Sequence, residues 1–143
     1  EGMLIAAWAV DAKEIYIYMR DEYPGIRLNM IEELNKLDFA YVELMKRSPS
    51  FPSPSHYPNV DDIELFGNQI KQTVIANSGY DKASAEEELE KGIASMVSFG
   101  TLFLANPDLP KRFELNTELN QPDRATMFGG SKEGYIDYPF INK

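Results

Sequence analysis

The sequence has no cysteine and only one histidine, His56. Disulfides, thiolate nucleophiles and cysteine metal sites are therefore excluded, and one histidine excludes a histidine-rich metal site. Long apolar runs are also missing, because the longest, residues 3–10, is far shorter than the roughly 20 residues of a transmembrane helix. No basic residue precedes this run and no clear cleavage pattern follows it. We therefore expect no signal peptide, no membrane partner and a cytoplasmic location.

Basic side chains are scarce, with 14 lysines and arginines against 23 aspartates and glutamates and a net charge of -9. This balance disfavours a nucleic acid or an anionic membrane surface as the main partner. A small anion site stays open, because backbone N–H groups can bind a phosphate without net positive charge. With 143 residues, 43% of them hydrophobic, the chain is expected to form a single domain over residues 1–143.

Hydrophobic periodicity predicts short strands that alternate with helices. The strands are expected at residues 14–20, 39–44, 73–78 and 95–99, and the helices at 2–12, 26–37, after Asp61 or Asp62, from Ser84, and in two pieces within 101–115. This order implies parallel strands joined by right-handed crossovers. The predicted fold class is α/β with four parallel strands, half of a (β/α)8 barrel. A doubly wound, flavodoxin-like open sheet is the alternative, and the pattern does not choose between them.

Two local features make sharper predictions about the helix starts and the C-terminal segment. Ser84 and Glu87 have the spacing of a capping box, which places a helix start at Ser84. Residues 121–143 show no period and are expected to form an extended tail. Apolar burial of Tyr135, Tyr138 and Phe140 is expected to fasten that tail to the domain.

Residues 105–140 carry a specific run, ANPDLPKRFELNTELNQPDRATMFGGSKEGYIDYPF. This run resembles the C-terminal part of old yellow enzyme, a family of FMN-dependent ene-reductases. The resemblance extends over residues 36–143 and implies a half-barrel that ends in an extended tail. A half-barrel leaves its inner sheet face and its edges uncovered, so a homodimer is a further expectation.

The first 27 residues read EGMLIAAWAVDAKEIYIYMRDEYPGIR. They are similar to a different protein, the FMN-binding flavoprotein subunit of NADH:ubiquinone oxidoreductase. Neither family joins these two pieces in one short chain. The hypothesis that follows is an engineered chimera, with residues 1–27 grafted as a helix–strand segment onto the half-barrel.

The ends of the last two predicted strands form the candidate ligand site: Ser78, Gly79, Phe99, Gly100 and Thr101. In (β/α)8 barrels the loops after strands seven and eight often bind phosphate, and glycine allows close approach to the backbone. From local sequence alone, ordinary strand-to-helix turns that need glycine are the favoured explanation of these residues.

The resemblance implies that these segments hold the FMN phosphate, and that Phe128 and its neighbour Met127 approach the edge of the flavin ring. Two residues depart from the family, which usually has glycine at Ser78 and often arginine at Thr101. Without the arginine, a weaker phosphate site is expected.

The resemblance also implies that the substrate-binding and proton-donating groups belong to the first half of the barrel, which these residues do not match. No catalytic residue and no metal ligand are therefore assigned. The predicted function is a flavoprotein-derived scaffold that binds FMN weakly through its phosphate. The alternatives are a folded chain without ligand or activity, and an active FMN-dependent NAD(P)H oxidoreductase.

Overall fold

The computed structural model describes residues 24–47, 60–127 and 131–141. Its elements, in chain order, are α1 (Pro24–Leu34), β1 (Tyr41–Met45), α2 (Asp62–Gly67), β2 (Thr73–Asn77), α3 (Lys82–Glu90), β3 (Met96–Val97), α4 (Thr101–Ala105) and α5 (Leu109–Leu115). The helix and strand predicted at 2–12 and 14–20 lie outside the described residues, as does most of the segment around His56. Among the described helices, none combines the length and the apolar character needed to cross a bilayer.

The three described strands form one parallel sheet in the order β1-β2-β3. Tyr41 lies opposite Thr73 at the β1–β2 pair, and Ile75 lies opposite Met96 at the β2–β3 pair. Strand order follows chain order, as it does around a (β/α)8 barrel, and the sheet is open. The prediction of an α/β fold with parallel strands is confirmed for this part of the chain.

One face of the sheet is covered by helices and forms the core. Along β2, Val74 and Ala76 are buried whereas Thr73 is exposed, because successive strand side chains point to opposite faces. The core cluster combines strand, loop and helix residues: Ile63, Val74, Ala76, Tyr80, Ala85 and Ala94.

The opposite face of the sheet carries large apolar side chains that stay exposed. Tyr41 and Met45 of β1 are 50% and 59% exposed, and Met96 of β3 is 46% exposed. The strand register places these residues on the face away from the core. The described part of the sheet therefore has one packed face and one open face.

Side-chain caps define the starts of α2 and α3. The prediction at Asp61 is confirmed, because its Oδ1 accepts from the Ile63 N–H at 2.9 Å. The predicted capping box of Ser84 with Glu87 is wrong. Helix α3 begins earlier: Asp81 is its N-cap and accepts from the Ser84 N–H at 2.8 Å, while the Ser84 hydroxyl accepts from the Asp81 N–H at 3.0 Å. Ser84 thus belongs to the capping box as its second member.

Helix α3 buries a carboxylate and exposes a leucine next to it. Leu89 is 41% exposed, whereas Glu88 is only 4% exposed. Glu88 Oε2 accepts from the Tyr80 hydroxyl at 2.9 Å and from Lys91 Nζ at 3.1 Å. Burial, together with this hydrogen bond, raises the pKa of Tyr80, so the phenol stays protonated and acts as a donor to Glu88.

Hydrogen bonds to buried polar side chains hold the C-terminal tail. Tyr135 and Phe140 are 42% and 65% exposed, so the expected apolar fastening is wrong for them. Instead, the Arg112 guanidinium donates to the Glu118 carbonyl at 2.7 Å and to the Pro139 carbonyl at 2.8 Å. The tail is therefore anchored through its backbone.

Two more polar side chains complete this anchor. Asn106 is fully buried, and its Oδ1 accepts from the Asn120 N–H at 2.7 Å. The Asp108 carboxylate accepts from Arg112 Nε and from the Ile141 N–H, both at 2.7 Å. The Asp108 carboxylate, which accepts from two donors, specifies one position for the tail.

Packing around α2 predicts the effect of adding one methyl group at Gly67. A Cβ there would lie 2.6 Å from Ile93 Cγ2, so the core must shift to accept it. Gly67→Ala should destabilise the protein by about 1–3 kcal/mol in urea unfolding, the usual cost of overpacking. Gly25→Ala is the control, because a Cβ at Gly25 meets nothing within 4 Å in helix α1. The control should be neutral or stabilising, and equal losses for the two variants would contradict this packing.

The tail anchor predicts a stability difference that depends on pH. The hydrogen bond from the Ile141 N–H, followed by that from Arg112, lowers the pKa of Asp108. Its contribution to stability is therefore present above its ordinary pKa and is lost as the pH falls through the lowered value. Asp108→Asn should lower the Tm at pH 7, and the difference from wild type should shrink at about pH 3.

Exposed Asp38→Asn is the matched control and should leave the Tm unchanged at neutral pH. A Tm difference for Asp108→Asn that stays constant between the two pH values would show that the carboxylate charge does not hold the tail.

Candidate functional site

The pairing of β2 with β3 brings the two predicted corner segments to the same edge of the sheet. Ala76 lies opposite Val97, and the Ser98 N–H donates to the Ala76 carbonyl at 2.9 Å. The chain then continues into Ser78–Gly79 on one strand and Phe99–Thr101 on the other. Parallel strands end at the same edge, so these two segments, here called the corners, are neighbours.

The first corner turns through two consecutive left-handed residues. Ser78 has a φ of 89° and Gly79 has a φ of 73°. Glycine adopts this conformation freely, whereas a residue with a Cβ is disfavoured by about 1–2 kcal/mol. Ser78, where glycine is expected from the family resemblance, is therefore a strained position.

Open space lies in front of both glycines. A Cβ built at Gly79 or at Gly100 would meet no heavy atom within 4 Å. Gly100 directly precedes α4 and has no side chain to cap it. Gly79 and Gly100 are also exposed, so the backbone of these two residues is accessible to a group that accepts hydrogen bonds.

The remaining predicted site residues, Phe99, Thr101 and Phe128, differ in their surroundings. The Phe99 ring packs edge-on against Phe113 of α5, with centroids 5.4 Å apart and planes at 68°. Thr101 is exposed at the start of α4. Phe128 lies outside the described residues, and the Met127 carbonyl next to it accepts from the Tyr135 hydroxyl.

Sequence reasoning missed a polar cluster beside the corners, formed by Glu43, Asn77 and Ser98. Glu43 Oε1 accepts from Asn77 Nδ2 at 2.6 Å and from the Ser98 hydroxyl at 2.5 Å. Asn77 precedes the first corner and Ser98 precedes the second. The only local signal was a single glutamate within an otherwise apolar strand.

A lysine was missed at the same edge. Lys46 follows β1, and its backbone N–H donates to the Asn77 carbonyl at 3.1 Å. Its Nζ lies 3.6 Å from the centroid of the Tyr80 ring, and Tyr80 directly follows Gly79. The arrangement brings a positive charge next to the first corner.

Metal chemistry finds no support in the described part of the chain. Residues 24–47, 60–127 and 131–141 contain no group of three or more histidine, cysteine, aspartate or glutamate residues that could hold a metal ion. The chemistry that the corners offer is hydrogen-bond donation from backbone N–H groups to an anion.

Comparison with known proteins identifies the family to which the chain belongs. Residues 21–120 match the model of the NADH:flavin oxidoreductase / NADH oxidase family. The chain belongs to this family. The resemblance of residues 36–143 to old yellow enzyme thereby gains support, whereas the similarity of residues 1–27 to a second flavoprotein does not.

Relatives in this flavin oxidoreductase family include plant proteins. The chain is 39% identical over 113 residues to a 12-oxophytodienoate reductase-like protein of Solanum lycopersicum, covering 78% of this chain and 30% of that protein. It is 41% identical over 117 residues to putative 12-oxophytodienoate reductase 5 of Oryza sativa subsp. japonica, covering 80% of this chain and 31% of that protein. The chain therefore spans less than a third of the length of these relatives.

Solved structures in the family have the same arrangement of strands and helices. Morphinone reductase is 32% identical with a TM-score of 0.70, covering 86% of this chain and 32% of that one. The old yellow enzyme from Trypanosoma cruzi is 24% identical with a TM-score of 0.74, covering 87% and 32% respectively, and indicates the fold alone. The open sheet of this chain thus corresponds to part of an old yellow enzyme barrel.

The strained corner predicts a difference between two substitutions at Ser78. Ser78→Gly removes the Cβ at a φ of 89°, whereas Ser78→Ala removes the hydroxyl and keeps the Cβ. Ser78→Gly should be more stable than Ser78→Ala by about 1 kcal/mol in urea unfolding. Equal stabilities would mean that the backbone at this corner is not strained.

Proposed function

We propose that this chain binds FMN weakly through its phosphate, which lies between Ser78–Gly79 and Phe99–Thr101. The observation that carries the proposal is the open space in front of Gly79 and Gly100, at strand ends that the register makes neighbours. Backbone N–H groups of such glycine-bearing turns can surround a phosphate dianion. Membership of a flavin oxidoreductase family supports FMN as the ligand.

Charge sets the expected affinity of the proposed site. Thr101 stands where old yellow enzymes often carry arginine, and a hydrogen bond to a charged group is worth about 1.5–3 kcal/mol. Lys46, close to the ring of Tyr80, supplies a positive charge at the neighbouring strand end. The net charge of -9 opposes an anionic ligand. The missing arginine and the opposing net charge both weaken binding, and Lys46 offsets part of that loss, so weak binding is expected.

When bound, the flavin supplies the electron-transfer chemistry. The residues of this chain bind and orient the phosphate end of the cofactor. No proton donor is assigned among the described residues, and Tyr80, a buried phenol that donates to Glu88, is not available for that role. We therefore propose FMN binding without rapid turnover. NADH-dependent reduction of an enone at enzyme-like rates would instead support the alternative of an active oxidoreductase.

Self-association and a chimeric origin stay predictions. The exposed apolar side chains of Tyr41, Met45 and Met96 support a homodimer formed through the open sheet face. The family match begins at residue 21, so it does not account for most of the segment 1–27. Finding the whole sequence in a natural genome would contradict the engineered chimera.

The proposed phosphate site predicts a difference between FMN and riboflavin. Titration with the protein should quench the fluorescence of FMN. Riboflavin, which lacks the phosphate, should bind about tenfold or more weakly than FMN. Gly100→Leu should abolish FMN binding, because its side chain occupies the space that the ligand needs. Since a Cβ at Gly100 meets nothing within 4 Å, this variant should fold normally, which a thermal melt checks.

Gly25→Leu is the matched control. A Cβ at Gly25 also meets nothing within 4 Å, and Gly25 lies on helix α1 and not in either corner. This variant should bind FMN as wild type does. Equal affinities for FMN and riboflavin would show that the phosphate is not recognised, and undiminished FMN binding by Gly100→Leu would place the site elsewhere. No binding by wild type would favour the folded chain without ligand.

A further inference from the structure

The polar cluster of Glu43, Asn77 and Ser98 connects all three described strand regions beside the corners. Glu43 lies in β1, Asn77 ends β2, and Ser98 directly follows β3. One oxygen, Glu43 Oε1, accepts from Asn77 Nδ2 at 2.6 Å and from the Ser98 hydroxyl at 2.5 Å. A single acceptor therefore links the residues that immediately precede the two corners.

We propose that Glu43 is a positioning residue that holds the two corners at the spacing required for phosphate. The functional meaning of this inference rests on the proposed FMN site. Glu43 itself does not touch the ligand; it acts through Asn77 on Ser78–Gly79 and through Ser98 on Phe99–Thr101. Glu43 lies on the open face of the sheet, on the side of β1 away from the core.

The backbone hydrogen bonds between the two strands stop before the corners. The last ladder hydrogen bond between the two strand regions runs from the Ser98 N–H to the Ala76 carbonyl, before either corner begins. The side-chain link from Glu43 extends the connection to Asn77 and Ser98. Water can replace a lost hydrogen bond to either donor at this exposed face, but separate waters do not hold the two donors to one point.

Glutamine and leucine at position 43 separate the acceptor from the charge. Glu43→Gln keeps an Oε1 acceptor and removes the negative charge, whereas Glu43→Leu removes both at similar size. Because both variants are neutral, the difference between them reports the hydrogen-bonded link. Glu43→Leu should bind FMN about tenfold more weakly than Glu43→Gln, the factor expected for one hydrogen bond of ordinary strength.

A second measurement needs no ligand. In amide NMR spectra of the free protein, Glu43→Leu should shift the resonances of both Gly79 and Gly100, and Glu43→Gln should restore both. Gly92, at the C-terminal end of α3 and outside the corners, is the internal control and should not move. Ser98→Ala should shift Gly100 and leave Gly79 closer to its wild-type position, because it cuts only one side of the link.

Several outcomes would overturn the proposal. Wild-type FMN affinity and wild-type spectra for both Glu43→Leu and Glu43→Gln would show that the link does not position the corners. Loss of binding in Glu43→Gln as severe as in Glu43→Leu would show that charge, and not the shared acceptor, matters. If wild type binds no FMN, the proposed function fails, and the amide shifts of Gly79 and Gly100 still decide whether Glu43 positions them.

Discussion

The parallel pairing of β2 with β3 is the constraint on which the candidate site depends. Parallel strands end at one edge, so two segments about twenty residues apart in sequence become neighbours there. The helices cover one face of the sheet and bury Val74 and Ala76 there. The same pairing that builds the core therefore also presents Gly79 and Gly100 to solvent. Ligand sites at the carboxyl edge of parallel strands follow from this geometry in many α/β proteins.

Buried polar side chains hold parts of the structure outside the sheet. Arg112, Asn106 and Asp108 fix the tail through its backbone, and Glu88 is buried on α3. Such groups tolerate burial only when they are paired, so they favour one arrangement over similar alternatives. In contrast, the open sheet face keeps apolar side chains exposed. The chain spans about 30% of its relative from Solanum lycopersicum, and in a closed barrel the corresponding face is the interior.

The strands were predictable from local pattern, whereas the side-chain links were not. The predicted strands at 39–44, 73–78 and 95–99 overlap β1, β2 and β3, because β-branched and aromatic residues mark strands, and a glycine follows the last two. The cap at Asp61 was also predictable. The Glu43 bonds join residues 34 and 55 positions apart, so no local period reveals them. Asp81 and Ser84 are both good capping residues, and pattern alone chose the later one as the start of α3.

A crystal structure of the protein soaked with FMN tests the central claim most directly. The account predicts that the phosphate lies between the two corners, with its oxygens within about 3 Å of the backbone nitrogens at Gly79 and Gly100. The flavin ring would then extend away from this edge of the sheet. A structure with the flavin bound elsewhere and both corners empty would contradict the account.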